Sequence, residues 1–398
     1  MLFPLTIVAL VAIVAYQANN IVGRIPSSLG YGVLFHRISF WDLHIGQYDE
    51  APMLNSDHCK VTHEYMGDCE DFHINADGTI YLACADMEDR KHYFPPSNRH
   101  NYDQVPNKPI HDKFWLYDPS SDSTTQLTIK FKEGSDMDYV SHGFNVLEQE
   151  DGVRKIFAIN HKHDGSVVSV FQHVPGDSYV SHLYDVSDDL LFNPNEVVAT
   201  GPSSFYFTND RMFRSGLMRF LEDKAGPWAW SYVGHCTFDV SGDSNDVSTT
   251  CSIKAHHFTY ANGIAIKDNN VFVDDSIKGT VSVYTYDADD DYNLTFVQEV
   301  PIGAALDNIH VSPTTGNLVV ACFPKTMATL KRLHSPTKTD LRVDAMAAEV
   351  FKGPNGWEAR PLYRDDGRYI SVMTNANVAD GKFYGSGVLE NGLLICSI

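Results

Sequence analysis

The sequence predicts an all-β protein built from a repeated unit, most simply a β-propeller that follows an N-terminal apolar segment. Apolar stretches rich in β-branched and aromatic residues run through the chain, and no helical periodicity appears after residue 60. Five segments, roughly 45 to 75 residues apart, begin alike with an oxygen-bearing or imidazole side chain before an apolar stretch. They are Glu70-Asp71-Phe72, His142-Gly143-Phe144, Asn195-Glu196-Val197, Asn262-Gly263-Ile264 and Asp307-Asn308-Ile309. A repeat of this length made of strands is typical of propeller blades.

Each unit continues with a turn and a second strand. In the first unit, Asn75-Ala76-Asp77-Gly78 supplies residues that favour a tight turn and leads into the apolar stretch 80–83. The same order recurs in later units, with turns at 267–270 and 313–316 before apolar stretches at 271–273 and 318–320. In a propeller the innermost strand of every blade borders the central channel. The first residues of the five segments are therefore expected to converge there.

The domain organisation predicted from the sequence is simple. No linker or low-complexity stretch divides the 398 residues, so residues 55–398 are expected to form one propeller. Residues 19–54 would be an N-terminal extension. The almost wholly apolar run Leu2–Ala15 is short for a membrane span, so residues 1–18 are interpreted as a signal peptide or a retained signal anchor. A buried N-terminal helix is the alternative.

Charge and missing motifs exclude several classes of function. The formal net charge of −21 and the lack of a basic patch argue against nucleic acid as a partner. The chain contains no Gly-x-Ser-x-Gly, no His-Glu-x-x-His, no Cys-x-x-Cys, no phosphate loop and no dinucleotide fingerprint. These absences disfavour serine hydrolases, zincins and nucleotide-dependent enzymes.

The seven cysteines suit an oxidising compartment. Cys59 and Cys396 lie at the two ends of the predicted propeller, where a disulfide would lock the ring. Cys236 and Cys251 flank a polar hairpin, so a local bridge is plausible there, whereas the pairing of Cys69 with Cys84 is left open. Asn293-Leu294-Thr295 is the only glycosylation sequon.

The converging residues suggest a cation site. Two carboxylates and three amides would meet at the channel: Glu70, Asn195, Asn262, Asp307 and Asn308. Oxygen ligands of this kind are those that Ca²⁺ requires. Asn and Asp at strand starts are often only turn residues, but five oxygen-bearing residues in register in four separate segments favour the cation site.

His142 and His161 are candidates for proton transfer. His142 begins a repeated segment and His161 ends the apolar strand that follows, so a hairpin would bring the two rings together. A histidine pair near a cation can accept a proton from water near neutral pH. Either histidine alone would more commonly be an ordinary core or surface residue.

At these residues the chain resembles the serum paraoxonase/arylesterase family, from about Cys59 to the C-terminus. The segments 201–210, 229–233, 258–264 and 306–322 are similar to family segments, and the sequon at Asn293 falls where a family sequon does. The resemblance implies a six-bladed β-propeller with two calcium ions in the central tunnel, one catalytic and one structural. It also implies a His dyad and a disulfide that joins the terminal strands.

The resemblance assigns roles position by position. The catalytic ion would be bound by Glu70, Asn195, Asn262, Asp307 and Asn308, and the structural ion by Asp71, the carbonyl of Phe144 and Glu196. His142 and His161 match the His dyad, and Cys59 and Cys396 match the closing disulfide. Glu196 stands where the family usually has Asp, Arg211 and Phe323 stand where well-known members have His, and the segment Asp86–Lys113 is long and polar. These departures concern the choice of substrate.

The function predicted from the sequence is a calcium-dependent hydrolysis of lactones and aryl esters. Ca²⁺ would polarise the carbonyl and the His dyad would activate water, with an apolar acyl pocket expected from the loop Arg211–Trp228. Two alternatives are a non-hydrolytic natural-product pathway enzyme on the same calcium propeller and a non-catalytic binding propeller. The protein would be secreted, or anchored to a membrane or lipid surface through its N-terminal segment.

Overall fold

The computed structural model describes residues 37–131, 137–224, 228–241 and 246–398. The predicted signal segment, residues 1–18, lies outside these ranges, as does most of the predicted extension. Within the described residues the chain forms an all-β propeller of six four-stranded blades, which confirms the predicted fold class. Also within them, no helix is both long and apolar enough to cross a bilayer.

The first two blades share one sheet. Blade 1 is formed by β2 (Cys69–Ile74), β3 (Ile80–Cys84), β6 (Lys113–Asp118) and β7 (Ser123–Lys130). Blade 2 is formed by β8 (Ser141–Glu148), β9 (Arg154–Lys162), β10 (Gly165–His173) and β11 (Tyr179–Val186). The outer strands β7 and β11 pair in parallel over three residues, which makes one eight-stranded sheet out of two blades.

Blades 3, 4 and 5 are regular antiparallel meanders. Blade 3 contains β12 (Pro194–Gly201), β13 (Ser204–Asn209), β14 (Ser231–Ser241) and β15 (Asp246–Phe258). Blade 4 contains β16 (Ala261–Lys267), β17 (Asn270–Asp275), β18 (Thr280–Asp287) and β19 (Asn293–Pro301). Blade 5 contains β20 (Ala305–Val311), β21 (Leu318–Phe323), β22 (Ala345–Gly353) and β23 (Gly356–Asp365).

The sixth blade closes the ring. Its strands β24 (Met373–Ala379), β25 (Lys382–Gly387) and β26 (Asn391–Ser397) come from the C-terminus, and its outermost strand is β1 (Cys59–Gly67). Cys59 and Cys396 face each other in the β1–β26 register and form a disulfide. Two further disulfides, Cys69–Cys84 and Cys236–Cys251, each join neighbouring strands of one blade. Cys322 is free and buried.

The hydrophobic core lies between the blades. Six clusters of buried apolar side chains each join one blade to the next around the ring, from blades 1 and 2 to blades 6 and 1. This arrangement follows from alternation, because successive side chains of a strand point to opposite faces and each blade face meets a neighbour. The inner strands of all six blades border a central cavity of about 120 Å³.

Three short helices and a small hairpin lie outside the blades. The helices are α1 (Met87–Arg90), α2 (Gly216–Lys224) and α3 (Thr326–Leu333). Each follows the second strand of its blade, so all three lie at the end of the propeller where the inner strands begin. The segment between β3 and β6 also contains the hairpin β4 (Tyr93–Phe94) and β5 (Arg99–His100), together with 3-10 turns at Pro95–Ser97 and Tyr102–Gln104. A further 3-10 turn spans Phe40–Asp42.

Candidate metal centre and histidine pair

The start of each inner strand is irregular in register, and this irregularity aims the predicted ligands. In blades 2 to 5 two residues of the inner strand oppose one residue of the second strand, as at a β-bulge. The pairs are 142–143, 195–196, 262–263 and 307–308, opposite Ile159, Thr208, Asp274 and Ala321. A bulge re-aims side chains that would otherwise alternate between the two faces of the sheet. Consecutive residues such as Asp307 and Asn308 can therefore both face the same site.

Hydrogen bonds connect the predicted ligands across blades. The Asn308 side-chain amide donates to Glu70 Oε1 at 2.9 Å, which joins blade 5 to blade 1. The Asn262 amide donates to Asp307 Oδ1 at 2.9 Å, which joins blade 4 to blade 5. In blade 3, the Asn195 amide donates to Asp210 Oδ2 at 3.2 Å. Each amide is oriented by its nitrogen, so its oxygen is free for another partner.

Those remaining oxygens are buried without a hydrogen-bond donor. They are Glu70 Oε2, Asn195 Oδ1, Asn262 Oδ1 and Asn308 Oδ1, from residues that are at most 5% exposed. A buried polar atom without a partner costs free energy, and among the predicted ligands all of these atoms are oxygens. A hard cation would satisfy all four, so the residues present fit Ca²⁺ by their chemistry.

A second group of oxygen atoms surrounds Asp71 and Glu196. Asp71 Oδ2 accepts a hydrogen bond from the Phe144 backbone at 3.0 Å. Glu196 Oε1 accepts from its neighbour Val197 at 2.8 Å, whereas Glu196 Oε2 has no donor. A Cβ added to Gly143 would lie 2.5 Å from Glu196 Cδ, so the longer Glu side chain fits only because residue 143 is glycine.

Burial and mutual repulsion raise the pKa of the tunnel carboxylates. Burial is the largest cause for Glu70, whose pKa lies well above its usual value, with Asp71 and Asp307 as repelling neighbours. Burial likewise raises the pKa of Asp307 to about 8 and that of Glu196 well above its usual value. Such clustered carboxylates hold their protons unless a positive charge lies among them.

The two histidines predicted to act together are in contact. His142 Nδ1 lies 3.0 Å from His161 Nε2, and His161 Nδ1 lies 2.9 Å from Ser166 Oγ. His142 Nε2 lies 3.9 Å from Glu70 Oε1, so the pair adjoins the predicted ligands. Burial lowers the pKa of His142 to about 3 and that of His161 well below its usual value. Both rings are therefore neutral at neutral pH.

The segment between β3 and β6 covers the histidine pair. This cover was not predicted from the sequence. The Phe94 ring meets His142 and His161 edge-on, with centroids 5.2 and 6.0 Å away. Arg90 is buried, donates to the Ser141 hydroxyl at 3.0 Å and lies 3.4 Å from both Asp68 and Asp112. No periodic signal marks these residues, because their role depends on contacts between blades.

The sixth blade supplies residues that the five repeated segments omit. Thr374 Oγ1 donates to the Glu70 carbonyl at 2.7 Å, and the Asn375 amide donates to Asp71 Oδ1. From blade 5, the His310 side chain shares this acceptor, with its Nε2 atom 3.0 Å from Asp71 Oδ1. The sequence carried a signal for this blade, since Asn375 precedes an apolar stretch and the turn Asp380-Gly381.

The loop expected to form an apolar acyl pocket differs from that expectation. Met212 and Phe213 are buried against Trp230, with Met218 and Trp228 packed beside them. Arg211 forms an ion pair with Asp223 at 3.0 Å, and its guanidinium group lies over the Tyr260 ring. Part of the apolar surface of this loop is thus buried within the loop, whereas Leu217, Phe220 and Leu221 remain exposed.

In the ranges that the structure describes, no group of three or more His, Cys, Asp and Glu side chains is gathered tightly enough to hold a metal by itself. The predicted ligands of the catalytic ion are mostly amides, which is why their fit rests on the unpartnered oxygens.

Fold and site define a class: a six-bladed propeller whose inner-strand starts carry buried oxygens without hydrogen-bond donors, beside a neutral histidine pair. Comparison with known proteins identifies the family. The Arylesterase family model matches residues 103–397, so the chain belongs to the arylesterase family, which confirms the resemblance seen in the sequence.

Curated relatives agree with this assignment. The chain is 29% identical over 296 residues to serum paraoxonase/arylesterase 2 of Gallus gallus, covering 73% of this chain and 77% of the relative. It is 28% identical over 293 residues to serum paraoxonase/arylesterase 1 of Homo sapiens, with 72% and 77% covered. For human serum paraoxonase/lactonase 3 the identity is 22% over 356 residues, covering 88% of this chain and 91% of the relative.

Solved structures resemble the chain only distantly. A luciferin-regenerating enzyme has a TM-score of 0.48 at 14% identity and covers 85% of this chain and 95% of its own. A calcium-binding regucalcin of Agrobacterium tumefaciens has a TM-score of 0.42 at 10% identity, with 83% and 92% covered.

Proposed function

We propose that the protein is a calcium-dependent hydrolase of lactones and aryl esters. The observation that carries the proposal is the set of buried, unpartnered oxygens on Glu70, Asn195, Asn262 and Asn308, next to the neutral His142–His161 pair. The names of the relatives, arylesterase and lactonase, support the substrate class.

The ligand residues divide into two groups. Glu70, Asn195, Asn262, Asp307 and Asn308 would hold a catalytic ion, and Asp71, the Phe144 carbonyl and Glu196 would hold a structural one. When bound, calcium supplies Lewis-acid polarisation of a carbonyl oxygen and stabilises the negative charge that develops on it. The amide nitrogens of Asn262 and Asn308 bond to Asp307 and Glu70, so the ligand oxygens are fixed before any substrate arrives.

His142 is proposed as the base that removes a proton from water at Nε2. This role requires Nδ1 to carry the hydrogen and donate it to His161 Nε2. His161 Nδ1 then donates to Ser166 Oγ, so one consistent set of neutral tautomers runs through all three residues. After proton transfer, the carboxylate of Glu70, 3.9 Å away, would stabilise the positive imidazole.

We also propose that the protein is secreted or anchored at a membrane through residues 1–18, which lie outside the described residues. Three disulfides support an oxidising compartment. Asn293 is exposed at the start of β19, where a glycan could be attached.

One experiment tests the proposed activity. A panel of lactones and aryl esters would be assayed with the purified protein before chelation, after chelation with EDTA, and after Ca²⁺ or Mg²⁺ is restored. Hydrolysis that disappears with EDTA and returns only with Ca²⁺ is expected. Hydrolysis that survives in protein shown to be metal-free would refute calcium dependence. No hydrolysis of any member by calcium-loaded protein would refute the hydrolase and leave the non-hydrolytic and binding alternatives.

A further inference from the structure

Asp274 is a buried carboxylate outside the predicted ligand set. It lies on β17, the second strand of blade 4, and is 0% exposed. Within the described residues it has no side-chain hydrogen-bond partner and no partner of opposite charge, with only the Gly263 backbone N–H beside it. Its neighbour Asp275 contrasts with it, accepting from the Thr259 backbone at 2.7 Å and the Tyr260 backbone at 3.1 Å. A buried carboxylate without a partner of opposite charge is costly, so its presence calls for such a partner.

The bulge at the start of blade 4 places this carboxylate beside the predicted ligands. Asn262 and Gly263 together oppose Asp274 in the register of β16 and β17. A Cβ added to Gly263 would lie 2.5 Å from Asp274 Oδ2 and 3.0 Å from Asn308 Cα. The Asp274 carboxylate thus occupies the space that a side chain at residue 263 would fill, between the inner strands of blades 4 and 5.

The other blades show that this position does not require an acid. The residues opposite the equivalent bulges of blades 2, 3 and 5 are Ile159, Thr208 and Ala321. Thr208 serves the backbone, because its hydroxyl accepts from Glu196 and donates to the Asn262 carbonyl. Asp274 faces only the Gly263 backbone N–H of the strand opposite, and its charge interacts with the carboxylates of Asp307 and Glu196.

We propose that Asp274 is an additional cation ligand of the tunnel, contributed by a second strand rather than by an inner-strand start. The inference rests on the calcium site of the proposed function and extends its ligand set. The number of charged ligands is one of the factors that set calcium affinity, so Asp274 would strengthen binding. Gly263 is then needed because it leaves the carboxylate room to reach the site.

The test compares Asp274→Asn with Asp275→Asn in full-length protein, using Ca²⁺ as the probe. Calcium affinity and stoichiometry would be measured by calorimetric titration and elemental analysis of metal-free protein, and melting temperature with and without Ca²⁺. Asp274→Asn is expected to weaken calcium binding at least about 10-fold, the lower end of the range found when even an outer-shell partner of a ligand is lost. Its metal-free form should melt no lower than wild type, because a buried acid without a partner of opposite charge is gone, so the calcium-induced rise in melting temperature should shrink. Asp275→Asn should lower melting in both forms and leave calcium affinity unchanged.

The outcomes separate the two proposals. If wild type binds calcium and Asp274→Asn binds it with equal affinity, Asp274 is not a ligand, while the proposed function stands. If wild type itself binds no calcium, the cation site fails and the ligand role of Asp274 fails with it. Should Asp274→Asn not fold, Asp274→Thr gives the same measurement with the residue that blade 3 carries at this position. Unchanged affinity in that variant would equally overturn the inference.

Discussion

The assignment of His142 as the base can be tested by His142→Gln. The substitution removes the ring nitrogen that would accept the proton, and it breaks the 3.0 Å contact with His161. Loss of a general base typically lowers the rate about 10²–10⁴-fold, which is about 3–5 kcal/mol of transition-state stabilisation. The Asn308–Glu70 and Asn262–Asp307 hydrogen bonds do not involve His142. Calcium affinity should therefore stay within a few fold of wild type.

The assay measures kcat and KM for one lactone and one aryl ester, alongside calcium binding by titration. If His142 acts only in the transition state, the loss should appear in kcat and little in KM. Ser166→Ala is the matched variant, since it removes only the 2.9 Å partner of His161. One neutral hydrogen bond contributes about 1 kcal/mol, so about a five-fold fall is expected there.

Near-wild-type turnover by calcium-loaded His142→Gln would refute the assignment. The base would then be a carboxylate. Glu70 and Asp307 are the rivals, because both lie beside the predicted ion and the histidine pair adjoins Glu70. Asp307→Asn cannot decide the question alone, since it also removes a predicted ligand.

Three further predictions concern stability and calcium stoichiometry. The pKa of Asp307 is raised from 3.8 to about 8 in the folded protein. Its contribution to the free energy of unfolding is therefore fully present below pH 3.8 and is lost as the pH rises towards 8. The melting temperature of metal-free protein should therefore fall as the pH rises from about 7.5 to about 8, where unfolded histidines, with a pKa of about 6.5, are mostly neutral, and a flat profile in EDTA would contradict this. Cys396→Ser removes the disulfide between cysteines 337 residues apart in sequence. The chain-entropy model assigns about 5–6 kcal/mol of folding stability to the closure of such a loop. Denaturant melts should show a loss of several kcal/mol, and non-reducing peptide maps of wild type should show Cys59 linked to Cys396. Gly143→Ala would force Glu196 aside, so calorimetry should show loss of one of two calcium ions, whereas unchanged stoichiometry would exclude Glu196 as a ligand.

Much of the fold could be predicted from the sequence because the repeat carries local signals. Each inner strand begins with a polar residue before an apolar run and ends in a turn such as Asn75–Gly78, and both signals are set by neighbours in sequence. Of the six inner strands, the last was not among the five repeated segments identified from the sequence, although Asn375 and Asp380-Gly381 carry the same pattern. The first and last cysteines could be placed together because a ring must close, and the structure joins them.

The tertiary structure alone decided the surroundings of the site. Asp274 packs against Gly263 because a bulge and the missing Cβ leave room for its carboxylate, and Phe94 covers the histidines because a segment of blade 1 crosses to blade 2. Neither arrangement has a sequence signature, since each depends on residues far apart in the chain that meet only after the blades pack. The sequence by itself determined which oxygens and rings begin the strands. Packing between blades decided which of them are buried without partners, and so where the proposed cation would bind.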